Sequence, residues 1–163
     1  MKQVLRSKKL RVTFDQDFLG VMAGCRDTFR SKQSNPHDTW ITDEFIETYY
    51  ELHLRGAVHS VEVWQENELV GGLYGGCMGK CFFGESMFAK VSNASKVGLI
   101  MLAKNLAEHR FELIDCQVDT PHLLSLGAEA IPRQQFLQIV DKNKQFTFEK
   151  VNWNDIFKTD FAF

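Results

Sequence analysis

Two periods divide the chain, alternation of apolar and polar residues and apolar positions at helical spacing. Residues 10–14 (LRVTF) alternate and predict a strand. Asp15 is a candidate cap for a helix through residue 29, in which Phe18, Val21, Met22, Cys25 and Phe29 recur at helical spacing. Residues 30–39 (RSKQSNPHDT) are polar, contain a proline and predict a loop. Thr42 is placed to cap the next helix, with Asp43 and Glu44 suited to its first turn. That helix runs to about residue 54, with Phe45, Ile46, Tyr49 and Leu52 on one side, and Gly56 stops it.

The pattern then changes to period two. Residues 59–64 (HSVEVW) alternate, Glu66 and Asn67 form a turn, and residues 69–78 (LVGGLYGGCM) make a glycine-rich strand. Gly79 and Lys80 form a second turn before a third strand over Cys81, Phe82 and Phe83, so the stretch predicts an antiparallel meander. Ser92 and Asn93 are expected to cap a long helix over residues 94–109. Its apolar face is wide: Val97, Leu99, Ile100, Leu102, Ala103 and Leu106. Residues 111–118 predict a strand, residues 122–126 a short helix ended by Gly127, and Pro132 the first position of a helix over residues 133–141. Residues 146–151 alternate as a last strand. This order predicts an α/β or α+β fold with a mixed sheet, and 163 residues suit one domain over residues 1–163.

Composition excludes little. Hydrophobic residues make up 44% and charged residues 25%, and the net charge of −2 neither favours nor opposes a nucleic-acid partner. No run approaches the ~18 apolar residues of a membrane span, and the basic N-terminus lacks the apolar core of a signal peptide. Without a signal peptide, the four cysteines are expected to be reduced thiols in the cytoplasm. The glycine pairs at 71–72 and 75–76 fit no phosphate-loop spacing, and close backbone approach or a bulge is the better reading. Cys77 and Cys81 make half a zinc motif with no second half, and Ser86 lacks the context of a nucleophile elbow.

Polar residues inside apolar strand segments remain: Glu85, which follows a break at Gly84, and Asp115 with Gln117. Two residues apart on a strand, Asp115 and Gln117 are expected to leave the same face. Burying such groups is costly unless they are partnered or used, so a salt bridge, a cap or a site are the readings they allow.

Residues 70–75 (VGGLYG), 83–88 (FGESMF), 93–96 (NASK), 113–117 (LIDCQ) and 125–128 (SLGA) occur in this order with compatible gaps. Residues 39–41 (TWI), Tyr49, Leu52, His53 and residues 57–64 (AVHSVEVW) add to them. Together they resemble the bacterial leucyl/phenylalanyl-tRNA–protein transferase family over roughly residues 8–140. The resemblance implies a fold like that of the acyl-CoA N-acyltransferases (GNAT): a mixed, largely antiparallel sheet flanked by helices. It implies transfer of Leu or Phe from aminoacyl-tRNA to the N-terminal Arg or Lys of a protein, which marks that protein for degradation. It implies neither metal nor acyl-CoA as cofactor. Asp115, Gln117 and Glu85 match the family's active-site acid, amide and glutamate. Leu73, Met87, Leu99, Leu102 and Ile114 match its amino-acid pocket, and Trp40 and Tyr49 its aromatic positions near the terminal adenosine. Ser86 falls within the same motif and is expected at the substrate. Gln117 is expected to orient the amine, with Asp115 polarising it or relaying a proton, and Glu85 to hold the acceptor's cationic end. Arg26, Arg30, Lys32, Lys90, Lys96, Lys104 and Arg110 are candidates to follow the phosphates of the acceptor stem.

Typical members carry a further small domain at the N-terminus with its own tRNA-facing aromatic residue. By the resemblance the chain is expected to start after it, with weaker tRNA affinity or a different donor as the consequence. The aromatic residues of the tail over residues 146–163 are expected to cover apolar surface that this domain otherwise hides, so that deleting residues 152–163 reduces stability. Two other activities stay open. One is a catalytically weak relative that binds a peptide N-terminus or tRNA without transfer. The other is an acyl-CoA-dependent N-acetyltransferase, against which stands the lack of a glycine loop in residues 90–95 (KVSNAS).

Overall fold

A computed structural model describes residues 10–30, 39–146 and 150–160. Five strands form one sheet in the order β1-β2-β3-β4-β5. β1 (Arg11–Phe14), β2 (Val58–Gln65), β3 (Glu68–Met78) and β4 (Cys81–Ala89) are successive antiparallel neighbours. β5 (Leu113–Asp115) lies parallel to β4, and the crossover between them is the helix α3 (Ala94–Glu108). Two helices precede the meander, α1 (Phe18–Arg30) and α2 (Asp43–Leu54). Three follow β5: α4 (Pro121–Leu124), α5 (Arg133–Asn143) and α6 (Trp153–Ile156). The mixed, largely antiparallel sheet with flanking helices is the fold class the sequence predicts. No helix among the described residues is long and apolar enough to cross a membrane.

Each face of the sheet carries its own core. On one face Val12, Phe14, Val61, Val63, Leu73 and Phe82 pack against Val97, Met101, Leu102 and Leu106 of α3. On the other, Val58, Tyr74 and Phe88 pack against Phe18, Val21, Met22 and Cys25 of α1. Since helices cover both faces, polar positions of the alternating strands are buried too. Glu62 is fully buried and accepts hydrogen bonds from Ser60 Oγ at 2.5 Å and Thr13 Oγ1 at 2.7 Å. Close approach explains two of the glycines. A Cβ on Gly71 would lie 2.6 Å from Ala94 Cβ, and one on Gly24 would lie 2.5 Å from the ring of Phe88.

Thr42 caps α2 as expected, accepting from Phe45 N at 3.2 Å, and Gly56, at φ 78°, terminates it. Several expectations are corrected. Asp15 does not cap α1; Asp17 does, accepting from Gly20 N at 3.0 Å. Asp15 is instead a buried hub, accepting from His59 Nδ1 at 2.8 Å, Ser60 N at 3.0 Å and Trp153 N at 2.8 Å. Asn93 adopts a left-handed conformation, φ 68°, and its side chain makes no cap hydrogen bond to α3. β5 covers three residues rather than residues 111–118. Of the last predicted strand, residues 147–149 lie outside the described residues. Phe146 is in a turn, and Lys150 and Val151 are not in a strand.

The tail is part of the core. Trp153 is 4% exposed, and its ring stacks on His59 at 3.9 Å and 3°. Phe157 meets Phe14 edge-on at 5.1 Å. The four cysteines are free. Burial pushes the Cys25 thiol up to about 12, with the Ser86 hydroxyl acting the other way.

Candidate functional site

The site is built where β4 and β5 part. Cys81, Phe82 and Phe83 pair with Leu113, Ile114 and Asp115, and there the ladder ends. Against β3, Tyr74 pairs with Ser86 while Gly75 pairs with Gly84, so Glu85 is the extra residue of a β-bulge. A bulge changes which face the following residues point to. Before it Phe82 packs on the α3 side; after it Phe88 packs on the α1 side and Met87 on the α3 side. The break at Gly84 therefore re-aims the strand, and a Cβ there would lie 3.4 Å from the carbonyl oxygen of Asp115.

Glu85 is half-buried against α2. The Tyr49 side chain lies beside it as a potential donor. Burial pushes the Glu85 carboxyl up, the Tyr49 phenol pulls it down, and the neighbouring charge of Asp115 raises it further. The Tyr49 phenol is raised in turn by burial and then by Glu85. Two acids thus stand on either side of the point where the strands diverge, and the charge of Asp115 makes ionisation of Glu85 harder.

Asp115 ends β5. Its Oδ1 accepts from the backbone N of Gln117 at 2.8 Å, and Gln117 sits at φ 65°. A left-handed conformation costs an ordinary residue ~1–2 kcal/mol, and the hydrogen bond to Asp115 helps hold it. This corrects the expectation that the two residues share the face of a strand. The chain turns after Asp115, which engages the main chain of Gln117, and the Gln117 side chain is left exposed.

Next to this turn a cleft of about 720 Å³ opens between β5, α3, α4 and α5. Its lining includes Leu99, Ile114, Asp115 and Gln117 among the residues singled out above. The others lie elsewhere. Leu73 and Leu102 are 3% and 0% exposed and are core residues, and Met87 packs partly buried on the same core. Ser86 lies on the α1 side, beside Cys25. Trp40 is exposed and meets Phe45 edge-on at 5.0 Å. Tyr49 stacks on Phe45 at 4.1 Å, so one face of its ring is already covered.

Of the basic residues, Arg26 pairs with Asp43 at 2.6 Å and Lys90 lies 3.9 Å from Glu68. Lys32 lies outside the described residues. No site role is expected from sequence for Phe45, which joins Trp40 to Tyr49, or for the cleft residues Ala103, Arg133 and Phe136. Nor is one expected for Tyr74, although a hydroxyl in a glycine-rich buried strand is itself a signal that a partner is needed.

Comparison with known proteins bears on this arrangement in two ways. An aminoglycoside acetyltransferase from an uncultured soil metagenomic sample, solved with sisomicin, superposes with a TM-score of 0.57 at 15% identity. That superposition covers 76% of this chain and 92% of the other. An aminoglycoside N-acetyltransferase solved with CoA gives 0.51 at 12% identity, over 76% and 90%. The fold is GNAT-like. In sequence, a protein of Pseudomonas syringae pv. syringae (strain B728a) is 50% identical over 143 residues, which are 88% of this chain and 61% of the relative. One of Desulfatibacillum aliphaticivorans is 47% identical over 154 residues, 94% and 65% respectively. Both are named leucyl/phenylalanyl-tRNA–protein transferase, and the chain spans less than two thirds of their length. The family model described as leucyl/phenylalanyl-tRNA protein transferase matches residues 1–141, and the chain belongs to that family.

Proposed function

We propose that the chain carries the reaction centre of an aminoacyltransferase. It moves Leu or Phe from aminoacyl-tRNA to the N-terminal Arg or Lys of an acceptor protein, in the cytoplasm where charged tRNA is found, as a tag for degradation. The observation that carries this reading is the placing of Glu85, in the β4 bulge, and Asp115, at the end of β5, where the two strands part, with Asp115 lining an apolar cleft. Family membership supports it.

The reaction joins the acceptor's α-amine nitrogen to the ester carbonyl carbon of the donor. The bond from that carbon to the ribose 3′ oxygen breaks, and the departing oxygen takes up the proton the amine loses. Holding amine and ester together supplies much of the acceleration. In this proposal Glu85 holds the cationic end of the acceptor, and its raised carboxyl is suited to exchange a proton with an ammonium. Asp115 fixes the turn that presents Gln117, whose side chain orients the amine. The cleft lined by Leu99 and Ile114 takes the donor's apolar side chain, and such a surface separates Leu from Phe weakly. Trp40, exposed beside Phe45, is offered to the unpaired terminal base.

The test is transfer of labelled Leu or Phe from charged tRNA to peptides starting with Arg, Lys or Met, with labelled acetyl-CoA as a parallel donor. Labelling of the Arg and Lys peptides from tRNA alone is expected. Labelling from acetyl-CoA alone would replace this reading with an acetyltransferase.

A further inference from the structure

Tyr74 carries a group that the proposed chemistry does not use. It lies on β3, opposite Ser86 and beside the bulge that exposes Glu85. The residue is 0% exposed, and among the described residues its hydroxyl oxygen is buried with no hydrogen-bond partner. Its ring meets Tyr49 edge-on at 5.8 Å and Phe18 at 6.1 Å. A phenylalanine would fill the same apolar space. The hydroxyl instead adds a desolvation cost while it stays unpaired. Buried polar groups in native proteins nearly always have a partner, so this one calls for an explanation.

The surroundings supply one. The charged or chargeable groups around the Tyr74 phenol are Cys25 on α1, Glu85 on β4 and Tyr49 on α2, whose ring meets that of Tyr74. Those around Glu85 are Tyr49 and Asp115 on β5. The thiol of Cys25 and the phenol of Tyr49 are both pushed up and stay protonated at neutral pH. Of the three groups around the Tyr74 phenol, Glu85 is the carboxylic acid, and on ionising it becomes purely an acceptor. A neutral carboxyl is served by the single donor Tyr49, whereas an ionised one has room for more.

We propose that Tyr74 is a positioning residue for Glu85, its hydroxyl becoming a second phenolic donor to the carboxylate, directly or through one water, when Glu85 ionises. The orphaned donor and the half-satisfied acid then resolve each other. The ionised site is held by two rigid phenols, one from α2 and one from β3. This rests on the assignment of Glu85 to the acceptor site, but the pairing itself can be measured without any transfer.

The experiment follows the Glu85 carboxyl carbon and the Tyr74 ring carbon bearing oxygen by ¹³C NMR across pH. In the wild type the Tyr74 signal is expected to move in step with Glu85, and in Glu85→Gln that step should vanish. In Tyr74→Phe the Glu85 midpoint should rise by about one pH unit, a tenfold change in its ionisation constant. The melting temperature should hold or increase, since an unpaired buried hydroxyl has been removed. A Tyr74 signal that ignores the Glu85 titration would overturn the proposal, and so would a Glu85 midpoint that Tyr74→Phe leaves in place. Should the chain transfer no amino acid while the two signals still move together, the proposed function fails and this pairing stands.

Discussion

Trp153→Ala is the sharpest test of how the tail is used. Trp153 is 4% exposed, stacks on His59 at 3.9 Å and meets Phe157 at 4.5 Å. Its backbone N–H donates to Asp15 at 2.8 Å, a bond that alanine can keep. What is lost is the ring, and truncating a buried tryptophan costs ~3–5 kcal/mol. Opening that space also lets water reach the ring face of His59, which is buried with its Asp15 partner at 2.8 Å. Against a typical stability of ~5–15 kcal/mol, the loss is a third or more of the total in a middling case. At roughly 2–4 °C per kcal/mol for a chain of this size, the melting temperature should fall by about 6–20 °C. Urea titration followed by circular dichroism measures the difference at 25 °C, and removal of residues 152–163 should cost at least as much. A loss below about 1 kcal/mol, the scale of a surface substitution rather than a cavity, would refute the packing described for the tail.

Three further outcomes are expected. Gly24→Ala places a methyl 2.5 Å from the Phe88 ring and should destabilise by ~1–3 kcal/mol in a urea titration; a neutral result would mean that α1 shifts freely on the sheet. Glu62 is raised in the folded protein because burial outweighs its hydrogen bonds from Ser60, Thr13 and the backbone of Asp17 and Gln16. The folded state therefore holds the proton over a window where the unfolded chain has released it. Stability of the wild type relative to Glu62→Gln should fall as pH rises from about 4.3 through the folded midpoint, and a pH-independent difference would contradict this. Cys25, buried and pushed up to about 12, should resist alkylation at neutral pH in the native protein and react only on unfolding, as read by mass spectrometry.

Local chemistry was legible where a residue answers to its own neighbours. Thr42 with the acids after it, the turns at 66–67 and 79–80, and the close approach at the glycine pair 71–72 were all readable before the fold. Residues whose partners come from distant elements were not. Asp15 has the form of a helix cap, yet its partners are His59, Ser60 and Trp153, up to 138 positions away. The alternation in residues 59–64 suggests a wet face, but α1 covers it and Glu62 is sealed inside. At the site, Glu85, Asp115 and Gln117 stood out as polar residues in apolar runs. The bulge that aims Glu85 and the turn that carries Gln117 off the strand depend on pairing with β3 and on the end of the β4–β5 ladder, which no single run displays.

The central claim is that Glu85, Asp115 and Gln117 act as one site at the parting of β4 and β5. Single-turnover transfer of Leu or Phe to an Arg-starting peptide should be measured for the wild type, Glu85→Ala, Asp115→Ala and Gln117→Ala, each shown to be folded. The account predicts a loss of about 100-fold or more for each variant, with the double variant Glu85→Ala/Asp115→Ala losing less than the product of the two. Folded variants that keep the wild-type rate, or two losses that simply multiply, would contradict it.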